Sequence, residues 1–199
     1  MKHFNTLLVL LLVCSCTGNK PKQTPVVAEP IIPTTFIAGS SKNIWVKNDT
    51  VFMNDKKYSG FICQLYPGTK DTAFIEGYYS GLLSGVCKKW YPNKQLTEER
   101  KYTEGKKNGR QLSYWENGKK RFEFIAKNDA YEGELKEWAF DGKLIHLANF
   151  VNGQEEGPQQ MWYDNGKIRA NYVIIKGKRY GLLGTKNCKN VSDSIFAVK

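Results

Sequence analysis

The chain has 199 residues, 30 of them Lys or Arg and 19 Asp or Glu, for a formal net charge of +11. That balance favours acidic partners or simply a soluble surface, and two histidines, one at position 3, are too few for a His-rich metal site. Beyond the leader there is no Cys-x-x-Cys pair, no Walker-type phosphate loop and no Gly-x-Ser-x-Gly elbow, so neither catalysis nor a cofactor is indicated.

Met1-Lys2-His3 opens a basic start, followed by an apolar run over 7–13 and then Cys14-Ser15-Cys16. A charged start, a short apolar stretch and a small-residue cleavage site describe an export signal, too short to span a bilayer stably. The stretch Val13-Cys14-Ser15-Cys16 resembles a bacterial lipobox, with Cys16 the lipid-bearing residue because Ser15 before it is small. Residues 1–16 are then a removed leader. Acyl anchoring places the protein on a membrane surface of the bacterial cell envelope, the outer membrane or the cell surface, with no spanning helix. Four prolines (Pro21, Pro25, Pro30, Pro33) mark residues 17–42 as an extended tether.

The folded part begins at about residue 43. Ile44-Trp45-Val46 and Val51-Phe52-Met53 flank a turn and predict a hairpin. With the degenerate unit around Gly60 it forms an N-terminal cap over 43–84. From there a glycine recurs every twenty-four residues: Gly85, Gly109, Gly133, Gly157, Gly181. Four residues ahead of each stand Gly81, Gly105, Asp129, Gly153 and Gly177. Five residues after the first four come Trp90, Tyr114, Trp138 and Trp162, each followed by a turn pair (Asn93-Lys94, Asn117-Gly118, Asp141-Gly142, Asn165-Gly166). A fixed period means a repeat architecture, here over 85–184, with 185–199 a cap or tail.

Asn-Gly and Asp-Gly between alternating apolar runs predict two-residue hairpin turns. Such a turn at Asp141-Gly142 sets Trp138 opposite Ile145 and Glu137 opposite His146. Applied to every repeat, this register predicts an all-β, single-layer antiparallel meander. One face becomes the core: Tyr91, Leu96, Cys87, Tyr102, Trp115, Phe122, Phe124, Ala126, Leu135, Ala139, Leu144, Ala148, Phe150, Met161, Tyr163, Ile168, Ala170, Tyr172 and Ile174. The other, wetter face carries Trp90, Tyr114, Trp138 and Trp162 among charged residues.

A tyrosine, an x-Gly turn, a second glycine four later and then Trp-Tyr-x-Asn-Gly resemble the MORN-repeat family, in the bacterial variant found in exported lipoproteins and in proteins labelled as antitoxins. The resemblance covers about 58–181, with departures at Asp129, Tyr114 and Lys94. It implies an interaction module; some eukaryotic relatives are linked to membranes or phospholipids.

The sharpest candidate site is the row Trp90, Tyr114, Trp138, Trp162 with Arg121 and Arg169 beside it, a platform for a sugar chain or an extended protein segment. Anionic lipid headgroups are a further candidate partner because of the charge; nucleic acid is set aside because the chain is exported. His146 is expected to be half-buried and satisfied by Glu137. Glu99 and Glu123 share a repeat position on the outer face, about 9.6 Å apart by strand spacing, at the wide edge for a glycosidase pair of roughly 6.5–9.5 Å. They are the only candidates for an envelope-polymer enzyme. Cys63 and Cys87 are a possible diagonal bridge, with a free buried thiol the favoured state for Cys87.

Overall fold

A computed structural model describes residues 29–184; Cys16, the leader, the first part of the tether and residues 185–199, with Cys188, lie outside them. Among the described residues there are strands and no helices. A short strand β1 (Phe36–Ala38) precedes a three-strand unit, β2 (Ile44–Lys47), β3 (Thr50–Met53) and β4 (Lys56–Lys57). The meander follows as β5 (Gly60–Leu65), β6 (Thr72–Tyr79), β7 (Leu82–Leu83), β8 (Gly85–Trp90), β9 (Leu96–Thr103) and β10 (Lys106–Tyr114). It continues with β11 (Lys120–Lys127), β12 (Ala130–Trp138), β13 (Leu144–Val151), β14 (Gln154–Glu155), β15 (Gly157–Trp162), β16 (Ile168–Ile175) and β17 (Lys178–Leu182). From β5 to β17 the sheet follows chain order and is antiparallel throughout, the two-residue strands β7 and β14 lying on β6 and β13 ahead of β8 and β15, with β1 added in parallel to β5. The expected meander is therefore present, and β2–β4 form a separate small sheet at its N-terminal end.

The tether ends earlier than the proline content predicts. Phe36, Ile37 and Ala38 pair with Phe61, Ile62 and Cys63, and the Thr35 carbonyl accepts from the Phe61 N–H at 2.7 Å. Glu29 pairs with Lys101. Prolines Pro30 and Pro33 stop just before the paired strand, which is where a residue lacking a donor does no harm.

The turn chemistry is the reverse of the expected one. At Ser80-Gly81, Glu104-Gly105, Asn128-Asp129, Asn152-Gly153 and Lys176-Gly177 both residues have positive φ, between 50° and 82°, and the flanking residues pair directly. These are the two-residue I′ turns. The Asn-Gly pairs instead close three-residue loops: Gly142 N–H donates to Ala139 O and Ala139 N–H to Lys143 O, both at 2.9 Å. Only the last loop residue needs positive φ, as at Gly118, Gly142 and Gly166, and at Lys94 with φ 69°. The Asn or Asp before it is there for its side chain, since Asn93, Asn117, Asp141 and Asn165 each accept from the N–H two residues on at 3.0 Å. Asn93 and Asn117 also donate across to the next repeat, to Glu116 O at 3.0 Å and Phe140 O at 2.9 Å.

A bulge follows every such loop and changes the faces. Trp138 pairs with Leu144, not Ile145, while Glu137 pairs with His146 as expected; Ile145 is the extra residue. Trp90 likewise pairs with Leu96, Tyr114 with Lys120 and Trp162 with Ile168. Cross-strand partners share a face. Leu96, Leu144 and Ile168 therefore stand with the aromatic row and not in the core, and Ile168 is 51% exposed.

Deeper in the sheet the expected core holds. Phe124, Ala126, Leu135 and Ala148 form one buried cluster with Phe122 and Phe150 against it; Ala170, Tyr172 and Ile174 form another. The small sheet packs a third cluster over the N-terminal strands, from Val51, Tyr58, Ile62 and Tyr78. Two fully buried members were not expected there: Gln111 and Gln159. They lie in one column with Cys87 and Leu135, each twenty-four residues from the next, and donate to Lys101 O and Asn149 O at 2.8 Å.

The period glycines mark where the ladder opens on one side only. Gly109 and Gly133 pair regularly with the following strand (Ala126, Phe150). Towards the preceding strand, β10 advances from Lys107 to Gln111 while β9 moves only from Tyr102 to Arg100. Two residues are thus left out of the ladder at each beat, and a φ of 96° at Gly109 or 70° at Gly133 is the backbone's way through.

Candidate functional site

The aromatic row is held by its backbone. Tyr66 Oη donates to Trp90 O at 2.5 Å, Tyr91 Oη to Tyr114 O at 3.1 Å, and Trp115 Nε1 to Trp138 O at 3.0 Å. A polar aromatic of one repeat thus pins the row residue of the next. Ala139 stands at the corresponding position of the following repeat and has no side-chain donor to offer. Trp90, Tyr114, Trp138 and Trp162 are all half-buried, neither core nor fully open. No two of these rings stack on one another among the described residues. The row is a series of separate footholds and not a continuous stack.

Three of the four line hollows. The one at Trp90 is rimmed by Lys70, Asp71 and Lys94, and the one at Trp138 by Lys119, Lys120 and Asp141. Lys120 Nζ lies 5.5 Å from the Trp138 ring centre, a distance at which a cation is attracted by the aromatic face. The two arginines do not sit as a symmetrical flank. Arg121 is the extra residue of its bulge and lies over Trp115, 4.7 Å from the ring centre, outside the row. Arg169, the extra residue of the last bulge, shares a cavity with Trp162, Tyr163, Asp164, Glu137 and His146. Sequence reasoning missed Asp164 and the lysine rim because a two-residue turn hides the bulge that brings them round.

The paired carboxylates are occupied. Leu112 lies between them, paired with Glu99 on one side and Glu123 on the other, and is buried. Glu99 pairs with Lys88 at 3.1 Å, and Glu123 with Arg110 at 2.6 Å and Lys120 at 2.7 Å. Burial pushes the Glu123 carboxyl up, but hydrogen bonds from Lys120 and Arg110 outweigh it and hold it below the usual carboxylate range. A general acid needs the opposite shift. His146 Nδ1 lies 3.1 Å from Glu137 Oε2, the expected partner, but its Nε2 is buried with none, so the histidine is only half satisfied. No group of three or more His, Cys, Asp or Glu among the described residues is placed to hold a metal.

Cys63 and Cys87 are both free. Cys63 pairs across to Ile75 and Ile75 to Lys88, so Cys63 shares a face with Lys88. Cys87, the next residue of a regular strand, points the other way, and no diagonal bridge forms. Burial pushes the Cys87 thiol up to about 11, partly offset by a backbone hydrogen bond from Gly77. Burial is also the first cause raising Tyr58, Tyr78 and Tyr102. The fold favours the neutral form of each, so this stability is fully present below the ordinary values of 9.0 and 10.0 and is lost as pH rises through the folded ones. The melting temperature is expected to hold to about pH 9 and fall above it, with iodoacetamide labelling Cys63 ahead of Cys87 at about pH 8 in peptide mass spectrometry. Equal labelling rates, or an unchanged melting temperature at about pH 11, count against the buried thiol.

Fold and row together define an all-β repeat protein in which each unit is stapled to the next. A family profile described as MORN repeat variant matches residues 83–104, 107–128 and 155–172. Over these three units the chain is similar to the MORN repeat variant. The unmatched unit between them is the one with Asp129 for glycine and Ala139 for a polar aromatic. A search of curated proteins finds none that matches the chain.

Proposed function

We propose that the protein is a lipid-anchored, non-enzymatic recognition module of the bacterial cell envelope that holds a protein or glycan partner along the row Trp90, Tyr114, Trp138, Trp162. MORN repeats are generally interaction modules, and the leader ending at Cys16 supports export and anchoring. The observation that carries the reading is the row itself: half-buried aromatics, one per repeat, three of the four on backbone pinned by the neighbouring unit, with lysine-rimmed hollows at Trp90 and Trp138. Rigid aromatic anchors beside polar rims are what binding surfaces spend their energy on.

The test is site-specific photo-crosslinking at the row in intact cells. Trp138→Ala is expected to cost only about 1–2 kcal/mol of stability, since the ring is half-buried, while weakening capture of the crosslinked partner by roughly thirtyfold or more. Unfolding of Trp138→Ala would make the row a second core and end the reading. A second reading, direct attachment to anionic headgroups, draws on the charge of +11. It requires salt-sensitive adhesion of the unlipidated chain to phosphatidylglycerol vesicles. The antitoxin label carried by some MORN-variant proteins fits an exported chain poorly.

A further inference from the structure

We propose that the cavity at the last described loop, between Trp162 and Arg169, binds one uncharged hexopyranose ring of a glycan; this deepens the reading of the row as a recognition surface. The cavity measures about 320 Å³, at the small end of ligand sites of roughly 300–1,000 Å³, which suits one ring and not a long segment. Its polar groups converge from three places. Glu137 reaches it from β12, Asp164 from the loop and Arg169 from the bulge of β16.

The charge pattern selects the ligand. The two other hollows carry more lysines than acids on their rims, whereas here two carboxylates face one guanidinium. The nearby Lys143 is held by Asp141 at 2.8 Å and adds no free cation to the cavity. No cluster of cations is present to hold a phosphate or carboxylate. Arg169 and Asp164 do not pair with each other; neither appears in an ion pair within 4.0 Å among the described residues. The open Asp164 carboxylate and the Glu137 oxygen that does not face His146 accept hydrogen bonds from vicinal hydroxyls, and the guanidinium fork donates to hydroxyl or ring oxygens. Trp162 supplies a flat apolar wall for the C–H face of a sugar ring. Glu137 is oriented by His146, whose Nδ1 lies 3.1 Å from it. A lipid tail would find too many polar groups here, and a peptide cation would meet Arg169.

The experiment is saturation-transfer NMR on the full soluble chain without its lipid, using the methyl pyranosides of glucose, galactose and mannose. At least one is expected to show transfer concentrated on its ring C–H protons. Asp164→Asn and Trp162→Ala should each weaken binding roughly tenfold or more, as loss of about 1.4 kcal/mol implies, and Trp45→Ala, in the small N-terminal sheet, should leave it unchanged. Asp164 and Arg169 are exposed, so Asp164→Asn and Arg169→Ala should leave the melting curve intact; Arg169→Lys, which keeps the charge without the fork, should bind as weakly as Arg169→Ala. No transfer to any of the three sugars at about 10 mM, or transfer untouched by Asp164→Asn and Trp162→Ala, overturns the sugar site. If it falls while Trp138→Ala still abolishes the crosslink in cells, the recognition row stands without it. If sugar binding survives and the crosslink does not depend on Trp138, the cavity stands alone and the row reading falls.

Discussion

Gly81→Ala is expected to detach the N-terminal sheet from the meander and lower stability by roughly 2–5 kcal/mol. Two costs add. Gly81 has φ 82°, where a side chain costs about 1–2 kcal/mol. An added Cβ would also meet Thr50 Cγ2 at 2.5 Å and Val51 O at 2.8 Å, and a backbone carbonyl cannot swing away, so overpacking adds typically 1–3 kcal/mol. The same residue is the hinge of the docking: its carbonyl accepts from Val51 N–H at 2.8 Å and its N–H donates to Tyr58 O at 2.7 Å. Gly177→Ala is the control, the same turn position with φ 73° and nothing within 4 Å of the added carbon. It should cost only the conformational 1–2 kcal/mol. Denaturant melts of the two variants, with Trp45 fluorescence following the small sheet, separate the two terms. Equal losses would mean that the contact with Val51 contributes nothing.

Gln111→Ala should destabilise by roughly 2–4 kcal/mol through a cavity and unpaired carbonyls. The side chain is fully buried and its Nε2 donates to Lys101 O at 2.8 Å and Gly109 O at 3.2 Å. Those carbonyls lie where the ladder opens before Gly109, so the side chain replaces a strand partner that the bulge has removed. Gln111→Leu keeps the volume and copies Leu135, which fills the same column one repeat later among apolar neighbours. It also removes the Oε1 that has no partner. Its cost should therefore be smaller, about 1–2 kcal/mol. Urea midpoints decide: a leucine variant as unstable as the alanine one would place the whole effect in the hydrogen bonds.

Much of this was readable because the repeat enforces itself. Twenty-four residues between glycines, with apolar residues alternating on either side, leave only a meander whose units touch their neighbours. The core positions far from the loops, such as Phe124, Ala126, Leu135 and Ala148, follow from alternation alone. Errors cluster at the Asn-Gly ends. An Asn-Gly pair signals a hairpin in either of two loop lengths, and the choice shifts the register by one residue. The longer loop is closed at all four sites by the Asn or Asp side chain accepting from the N–H two residues on, and Asn93 and Asn117 also bond across to the next repeat, a contact invisible within one unit. From that single slip followed the misplacement of Leu96, Leu144 and Ile168, and of Arg121, which turned to Trp115.

The amino-acid sequence alone settled the period, the all-β class, the order of the strands and the membership of the aromatic row, because each rests on local alternation and on glycines that recur at one interval. Only the tertiary structure decided which glycine pairs make the tight turns, where the tether stops, that Gln111 and Gln159 are buried, and that Trp162, Asp164 and Arg169 share a cavity. Those outcomes depend on bulges in the ladder and on pairing between segments far apart in the chain, such as β1 with β5 and Asn117 with Phe140, across about 4.8 Å of sheet.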